Sequence, residues 1–509
     1  GPIASALRAI GTTTNVLARS YTTWSPTWQL TTAFLRDVNA LPMTIAVESF
    51  DSPWQARAFL GHYTANLAGN VFNFKNAIAE AKWINGDKSE LRKVADKNPA
   101  SYVARLLAYR EAGGSTEYSQ SFNRETANSE LFDKVRRQDG NALSFANAKK
   151  GYDKVNELTG NWATVLESKA RVAAWEALIA AGKDPKEAAA LTKGAMDFSQ
   201  SGEWGKMINN FIMFSRVGFT SMDVIRRVFT NKTGGFDKAK AAKWIPAIAG
   251  MGAGFYMLLS SMLGDDEDGE PLIKKISADT LTQALVLPDG SGGVFRTPIG
   301  LGLPQLLMAP GILAAAVSEG HVTPMEATRA YYETITRNTP IQPAGWRKGS
   351  GPAGFANAWL QAALPSVARP VAEVATNTNA FDGAIRTDWP SKGKFASDQG
   401  MPNTPEFWKE LAKQIHEGTN GAVDPYPETL RHMSKAYGGQ TANDIFRWTM
   451  DFNEKEAQGL DSRAARTTLR TAVADPDFYY ASEARKISEE LQISTRLKNR
   501  AANGNDDVG

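Results

Sequence analysis

Trp244-Ile-Pro-Ala-Ile-Ala-Gly-Met-Gly-Ala-Gly-Phe-Tyr-Met-Leu-Leu-Ser-Ser-Met-Leu-Gly264 is a run of twenty-one residues without a charge. An acidic loop follows with Asp265, Asp266, Glu267, Asp268 and Glu270. Leu281–Pro288 and Val294–Pro298 then read as a β-hairpin, joined by the glycine-rich turn Asp289 to Gly293. A second uncharged run, Thr297 to Ser318, closes the unit. The first run just reaches the roughly 20 apolar residues needed to span a bilayer. Gly250, Gly252 and Gly254 inside it suit close approach of another helix, because they remove side chains from the contact. The second run carries Pro298, Pro304 and Pro310, each without a backbone donor, so neighbours must satisfy the freed carbonyls. Two core elements packed on each other are the favoured reading, and a membrane-active pair is the alternative.

Working outward, the 509-residue chain has an apolar content of 42% and a charged content of 22%, enough to build a sizeable core. Its 57 basic and 54 acidic residues nearly cancel, which argues against nucleic-acid binding over the whole surface. With no cysteine, disulfides, thiolate catalysis and cysteine metal sites are excluded. The opening Gly1-Pro2-Ile3-Ala4-Ser5-Ala6-Leu7-Arg8 has no apolar core of signal-peptide length and no initiator methionine, which points to part of a longer polypeptide.

Six dipeptides place a capping oxygen before a proline: Ser25-Pro26, Ser52-Pro53, Asn98-Pro99, Asp184-Pro185, Thr323-Pro324 and Thr404-Pro405. Glu187 and Glu326 complete capping-box patterns. The helix from Pro26 is expected to stop before Pro42, and a polar helix is expected around Arg463–Ala474. The fold class expected is mainly α: a multi-helix elongated assembly with one small β-hairpin between two apolar segments. Four regions follow: an N-terminal helical region at 1–112, a central amphipathic helical region at 113–243, the apolar unit at 244–341, and a C-terminal helical region at 342–509 with a long irregular segment at 377–404. The clearest amphipathic stripe is Trp204, Met207, Ile208, Phe211 and Ile212, continuing through Phe214.

Chemistry is sparse. His62, His321, His416 and His432 show no spacing that would place two imidazoles on one metal. There is no phosphate loop and no G-x-S-x-G elbow. The acidic run at Asp265–Glu270 lacks calcium-loop spacing and reads as solvated. No catalytic, cofactor-binding or metal residue, and no cofactor, is therefore expected. Two basic clusters, Lys134/Arg136/Arg137/Lys149/Lys150/Lys154 and Arg485/Lys486/Arg496/Lys498/Arg500, are interleaved with acids and read as solvated helix faces.

Five stretches carry a resemblance when taken in order. They are Trp24-Ser25-Pro26-Thr27-Trp28 with Phe34-Leu35-Arg36-Asp37; Asp197 to Gly202 with the helix Ile208–Phe229; and the apolar helix, acidic loop and hairpin ending Phe295-Arg296-Thr297-Pro298-Ile299-Gly300-Leu301-Gly302. The last two are Leu364-Pro365-Ser366 with Arg369-Pro370-Val371 and Thr376-Asn377, and Tyr437-Gly438-Gly439. Together they resemble the large polyvalent protein-associated helical domains of tailed-bacteriophage virion proteins. The chain departs from that pattern at Ile212-Met213-Phe214-Ser215-Arg216. The resemblance implies a non-catalytic module, packaged in the capsid and delivered with the genome to the host envelope or cytoplasm. It would serve assembly, ejection and envelope passage. The implied partners are other virion proteins or other parts of the same polypeptide, the host membrane and DNA, with oligomers in the virion. A DNA-associated protector and an unrecognised hydrolase are the other classes. The interaction residues expected are Trp204, Phe211, Phe214, Trp244, Phe255, Leu258, Leu259, Arg296, Ile299 and Leu301.

Overall fold

The computed structural model describes residues 34–71, 89–114, 164–195, 212–213, 215–231, 233–265, 269–288, 294–343, 351–379, 385–386, 394–401, 404–446 and 473–474, with the single positions Thr14, Ala18, Tyr21, Ser25, Gln29, Glu80 and Ile208. Over these residues the fold is mainly α with one small antiparallel sheet. The helices of the first half are α1 (Leu35–Ser49), α2 (Pro53–Val71), α3 (Ser89–Lys97), α4 (Tyr102–Glu111), α5 (164–180), α6 (Pro185–Gly194) and α7 (Ser215–Val228). The apolar unit consists of α8 (Lys238–Leu263), a short 3-10 turn at Leu272–Lys275, α9 (Ala278–Gln283), β1 (Ala284–Pro288), β2 (Val294–Pro298) and α10 (Leu303–Ser318). Then come α11 (Pro324–Arg337), α12 (Gly351–Ala363), α13 (Arg369–Thr376), α14 (Glu406–Gly418) and α15 (Pro427–Phe446), the last kinked at Gly439.

The hairpin lies between the two apolar helices, as expected, but its first strand is shorter. Ser277 accepts a hydrogen bond from the Thr280 amide and starts α9, so Leu281–Gln283 is helical and pairing begins at Ala284 opposite Pro298. The short β3 (Val473–Ala474) adds to the free edge of β2, where Arg463–Ala474 had read as a polar helix.

Two of the expected caps form. Asp184 accepts from the amides of Lys186 and Glu187, and Thr323 forms a reciprocal box with Glu326. Two do not. Ser101, not Asn98, caps α4. Thr404 donates its hydroxyl to Glu428 at 2.6 Å, and α14 begins behind Pro405 without a side-chain cap. Glu428 is buried, and a buried carboxylate takes donors where it finds them.

Proline did not end α1. The helix runs through Pro42, and the carbonyl that Pro42 leaves without an amide, Val38 O, accepts from the Tyr63 hydroxyl of α2 at 2.9 Å. The same device recurs at Pro310 in α10, where Leu306 O accepts from the Tyr331 hydroxyl of α11 at 3.4 Å. Tyr63→Phe is therefore expected to lower stability by about 1 kcal/mol in denaturant titration, the loss of one hydrogen bond to a half-buried carbonyl. An unchanged midpoint would mean that Val38 needs no partner.

The core runs from α1 and α2 through α5 to the α8–α10 pair. Helix α5 buries charges along with its apolar residues. Lys169 meets Glu80 at 3.1 Å and lies over the Tyr102 ring at 3.8 Å, while Arg171 meets Glu167 at 2.7 Å and donates to Thr192 O. Burial pushes the carboxyls of Glu48, Glu80, Glu167 and Glu176 above the ordinary carboxylate value, against the pull of Arg227, Lys169, Arg171 and Arg105 respectively. A raised carboxyl binds its proton more tightly in the folded chain. Its contribution to stability is thus full below the unfolded value and lost as pH rises through the folded one. The melting temperature is expected to rise as pH falls from 7 to about 5, by scanning fluorimetry; a steady fall over that interval would contradict the assignment.

Candidate docking face

Described residues of the motif stretches meet at joints between elements. Asn39 on α1 donates to Thr297 Oγ1 at 2.8 Å and to Pro298 O at 2.6 Å, tying the Arg36-Asp37 helix to the end of the hairpin. Gly300, at φ 98°, sits against α1 so closely that a Cβ there would lie 2.5 Å from that of Ala40. Gly302 lies against Ser221 of α7 and donates its amide to the Asn338 side chain. The Met213 amide donates to Ser366 Oγ at 2.8 Å, and the Tyr437 hydroxyl donates to Val367 O at 2.6 Å. Thr297, Ser366 and Tyr437 thus use their polar groups on contacts within the chain. Between α1, α7 and the 301–303 turn lies a cavity of about 20 Å³ lined by Arg36, Thr44, Thr220 and Ser221, room for a single water.

Helices α8 and α10 pack closer than side chains normally allow. A Cβ on Gly252 would lie 2.3 Å from Met308 O, and one on Gly311 would lie 1.7 Å from Ala249 O. Of the three glycines expected to serve this approach, Gly252 alone faces α10; Gly250 and Gly254 look into open space. Ala241, Trp244, Ile248, Gly252, Tyr256 and Leu259 form the buried line of α8. Outside that line the helix exposes large apolar side chains: Met251 (52%), Met257 (54%), Leu258 (55%) and Met262 (50%). A surface helix normally turns charge outward there, and contiguous exposed apolar area marks an interaction site.

The expected interaction residues divide accordingly. Trp244 is buried, its indole donating to Phe50 O at 3.0 Å, and Leu259 and Ile299 are core residues, so these three hold the unit together from inside. Phe255 and Leu301 are half-buried against the core. Arg296 is half-buried on β2. Leu258 lies on the open face. Trp204, Phe211 and Phe214 lie outside the described residues, as do both basic clusters. The spacing Ala241, Trp244, Ile248, Gly252 already places Met251 and Leu258 away from the packed line.

A polar latch closes one end of the pair. His321 Nε2–H donates to Ile276 O at 2.9 Å, and Nδ1 shares a 3.2 Å hydrogen bond with the Tyr256 hydroxyl. Ser260 donates to Glu319 at 3.3 Å. Burial, with Glu319 adding, pushes the Tyr256 phenol well above its usual range. His416 and His432 are also structural, on Asp424 at 3.2 Å and Glu373 at 2.8 Å, while His62 is exposed on α2.

No curated protein and no solved structure gives a significant match to the chain. A family model, Large polyvalent protein associated domain 38, matches residues 272–468. The match starts after α8 and takes in the hairpin, α10 to α15 and the last two motif stretches; of the third it takes in only the hairpin and its end at Phe295–Gly302, and the first two lie outside it. Residues 272–468 thus match a large polyvalent protein associated domain, the family that the ordered motifs resemble.

Proposed function

We propose that this chain is a non-catalytic helical module of a tailed-phage virion protein, packaged in the capsid and delivered with the genome. It acts by docking, and the outer face of α8 is the surface that docks. The observation that carries the reading is a helix with exposed large apolar side chains, packed closely on a region that matches a polyvalent domain. The contacts that Thr297, Ser366 and Tyr437 make within the chain support a structural role for these three rather than a chemical one. Mass spectrometry of purified particles, and of host fractions after adsorption, is the test. The chain is expected in both; its presence only in cells late in infection would refute packaging.

Envelope contact is a second reading, and it rests on one observation. Helix α8 is long and apolar enough to cross a membrane, by length and composition, with 22% of its most apolar window buried. Flotation with anionic vesicles at neutral and acidic pH tests it. Binding lost in Met251→Glu/Leu258→Glu supports the reading; no binding at either pH disposes of it.

A further inference from the structure

We infer that the N-terminal segment is a clip on α15: the Tyr21 hydroxyl holds this helix bent at Gly439, and its release lets α15 run straight. The inference goes beyond the docking role and stands on other residues. It starts from the Tyr437-Gly438-Gly439 motif. Gly439 lies at φ 63° and ψ −161°, inside a helix that spans Pro427–Phe446. That conformation is open to glycine and costly for any residue with a Cβ. It turns the Gln440 amide off the helix path, so Ala436 O loses the donor that an unbroken helix would give it.

Tyr21 supplies the replacement. Its hydroxyl lies 3.1 Å from Lys435 O and 3.1 Å from Ala436 O, across more than 400 positions of chain. Thr14, Ala18 and Tyr21 are helical and follow one another by four and three residues, so they share one face, and Thr14 and Ala18 are buried. Burial, with Glu373 adding, pushes the Tyr21 phenol above its ordinary value, so the group keeps the hydrogen it donates. Helix carbonyls point toward the C-terminal end. A hydroxyl shared by two successive carbonyls therefore stands where the next turn would lie, and the clip and that turn exclude each other.

Ala436 O thus has two rival donors, the Tyr21 hydroxyl in the bent helix and the Gln440 amide in a straight one. The sequence permits the straight form. No proline follows Pro427 before Phe446, so each later amide of α15 can donate. Two glycines disfavour a helix interior only mildly. The half before the bend is braced on α13 and the turn before it: His432 Nε2 meets Glu373 at 2.8 Å, and the Tyr437 hydroxyl donates to Val367 O at 2.6 Å. Straightening therefore moves the half after Gly439 and leaves the first half in place. The two ends of the chain are coupled by this one hydroxyl.

The chain has no cysteine, so Arg431→Cys/Asp444→Cys can carry spin labels on either side of Gly439. In a straight helix the two positions are about 20 Å apart along the axis. Pulsed electron-spin resonance is expected to give a shorter distance while Tyr21 is in place. Adding Tyr21→Phe, which removes a single oxygen, is expected to move most of the population to the straight value. Gly439→Ala is expected to do the same, because alanine resists this φ/ψ and favours a helix. Tyr437→Phe is the control: it removes a hydrogen bond from the same helix away from Ala436 O, and the distance should not change. Thermal melting checks that each variant folds. A distance unmoved by Tyr21→Phe, or moved equally by Tyr437→Phe, would overturn the inference. A straight helix with Tyr21 intact would overturn it too.

Discussion

Gly311→Ala is expected to destabilise the α8–α10 pair by about 3 kcal/mol or more, the upper end of what overpacking usually costs. The added methyl would lie 1.7 Å from the carbonyl oxygen of Ala249, which is backbone and has no rotamer to yield. The two helices must separate or slide, and either movement opens the line Trp244, Ile248, Tyr256 and Leu259 that they bury together. Calorimetry should show a drop of several degrees in the transition that contains this pair. Gly250→Ala, two positions from Gly252 on the same helix, is expected to change stability in the opposite direction, by about +0.5 to +1 kcal/mol, because alanine is the better helix former and meets nothing there. Equal effects from the two substitutions would mean that the close approach is not what holds the pair.

Lys169→Met is expected to cost about 3–5 kcal/mol, comparable to other broken buried ion pairs. The ammonium is fully buried between the Glu80 carboxylate and the Tyr102 ring, and burial drives its pKa below the usual lysine value. Removing it leaves Glu80 buried with Arg110 as its remaining cationic neighbour. The double variant Lys169→Met/Glu80→Leu is expected to recover most of the loss, since an apolar pair of similar volume carries no desolvation penalty. Urea titration of the two variants separates a charge effect from a packing effect. A double variant as unstable as the single one would show that the pair is needed for shape.

The helical class, the hairpin between apolar segments and the best capping signals could all be read from the residues, because each depends on neighbours within a few positions. Asp184 and Thr323 are instances: the oxygen, the proline and the glutamate occur together. What could not be read depends on distant partners. Pro42 reads as a stop until Tyr63, from another helix, supplies the missing donor to Val38. Val473–Ala474 becomes a strand only because the edge of β2 is there to pair with it. The buried charges of α5 look like a solvated face because Glu80 is 89 positions from Lys169. The apolar run of α8 was plain in the residues, but its division into packed and open positions required knowing that Gly252, and neither of its neighbouring glycines, meets α10. The motif stretches carry the family resemblance without showing their contacts. Gly300 packs against Arg36 O, Ser366 accepts from the Met213 amide and Tyr437 donates to Val367 O, and each of these joins residues far apart in the chain.

The most direct test of a docking role is the particle content of phage carrying Met251→Glu/Leu258→Glu in this chain. Both side chains are more than half exposed, so folding should be unaffected, and melting of the purified chain checks that. Quantitative mass spectrometry of purified particles is expected to show the chain reduced at least about tenfold, the loss that a disrupted apolar contact worth roughly 1.4 kcal/mol produces. Particles holding the wild-type amount of the variant chain, and infecting normally, would contradict the role assigned to α8.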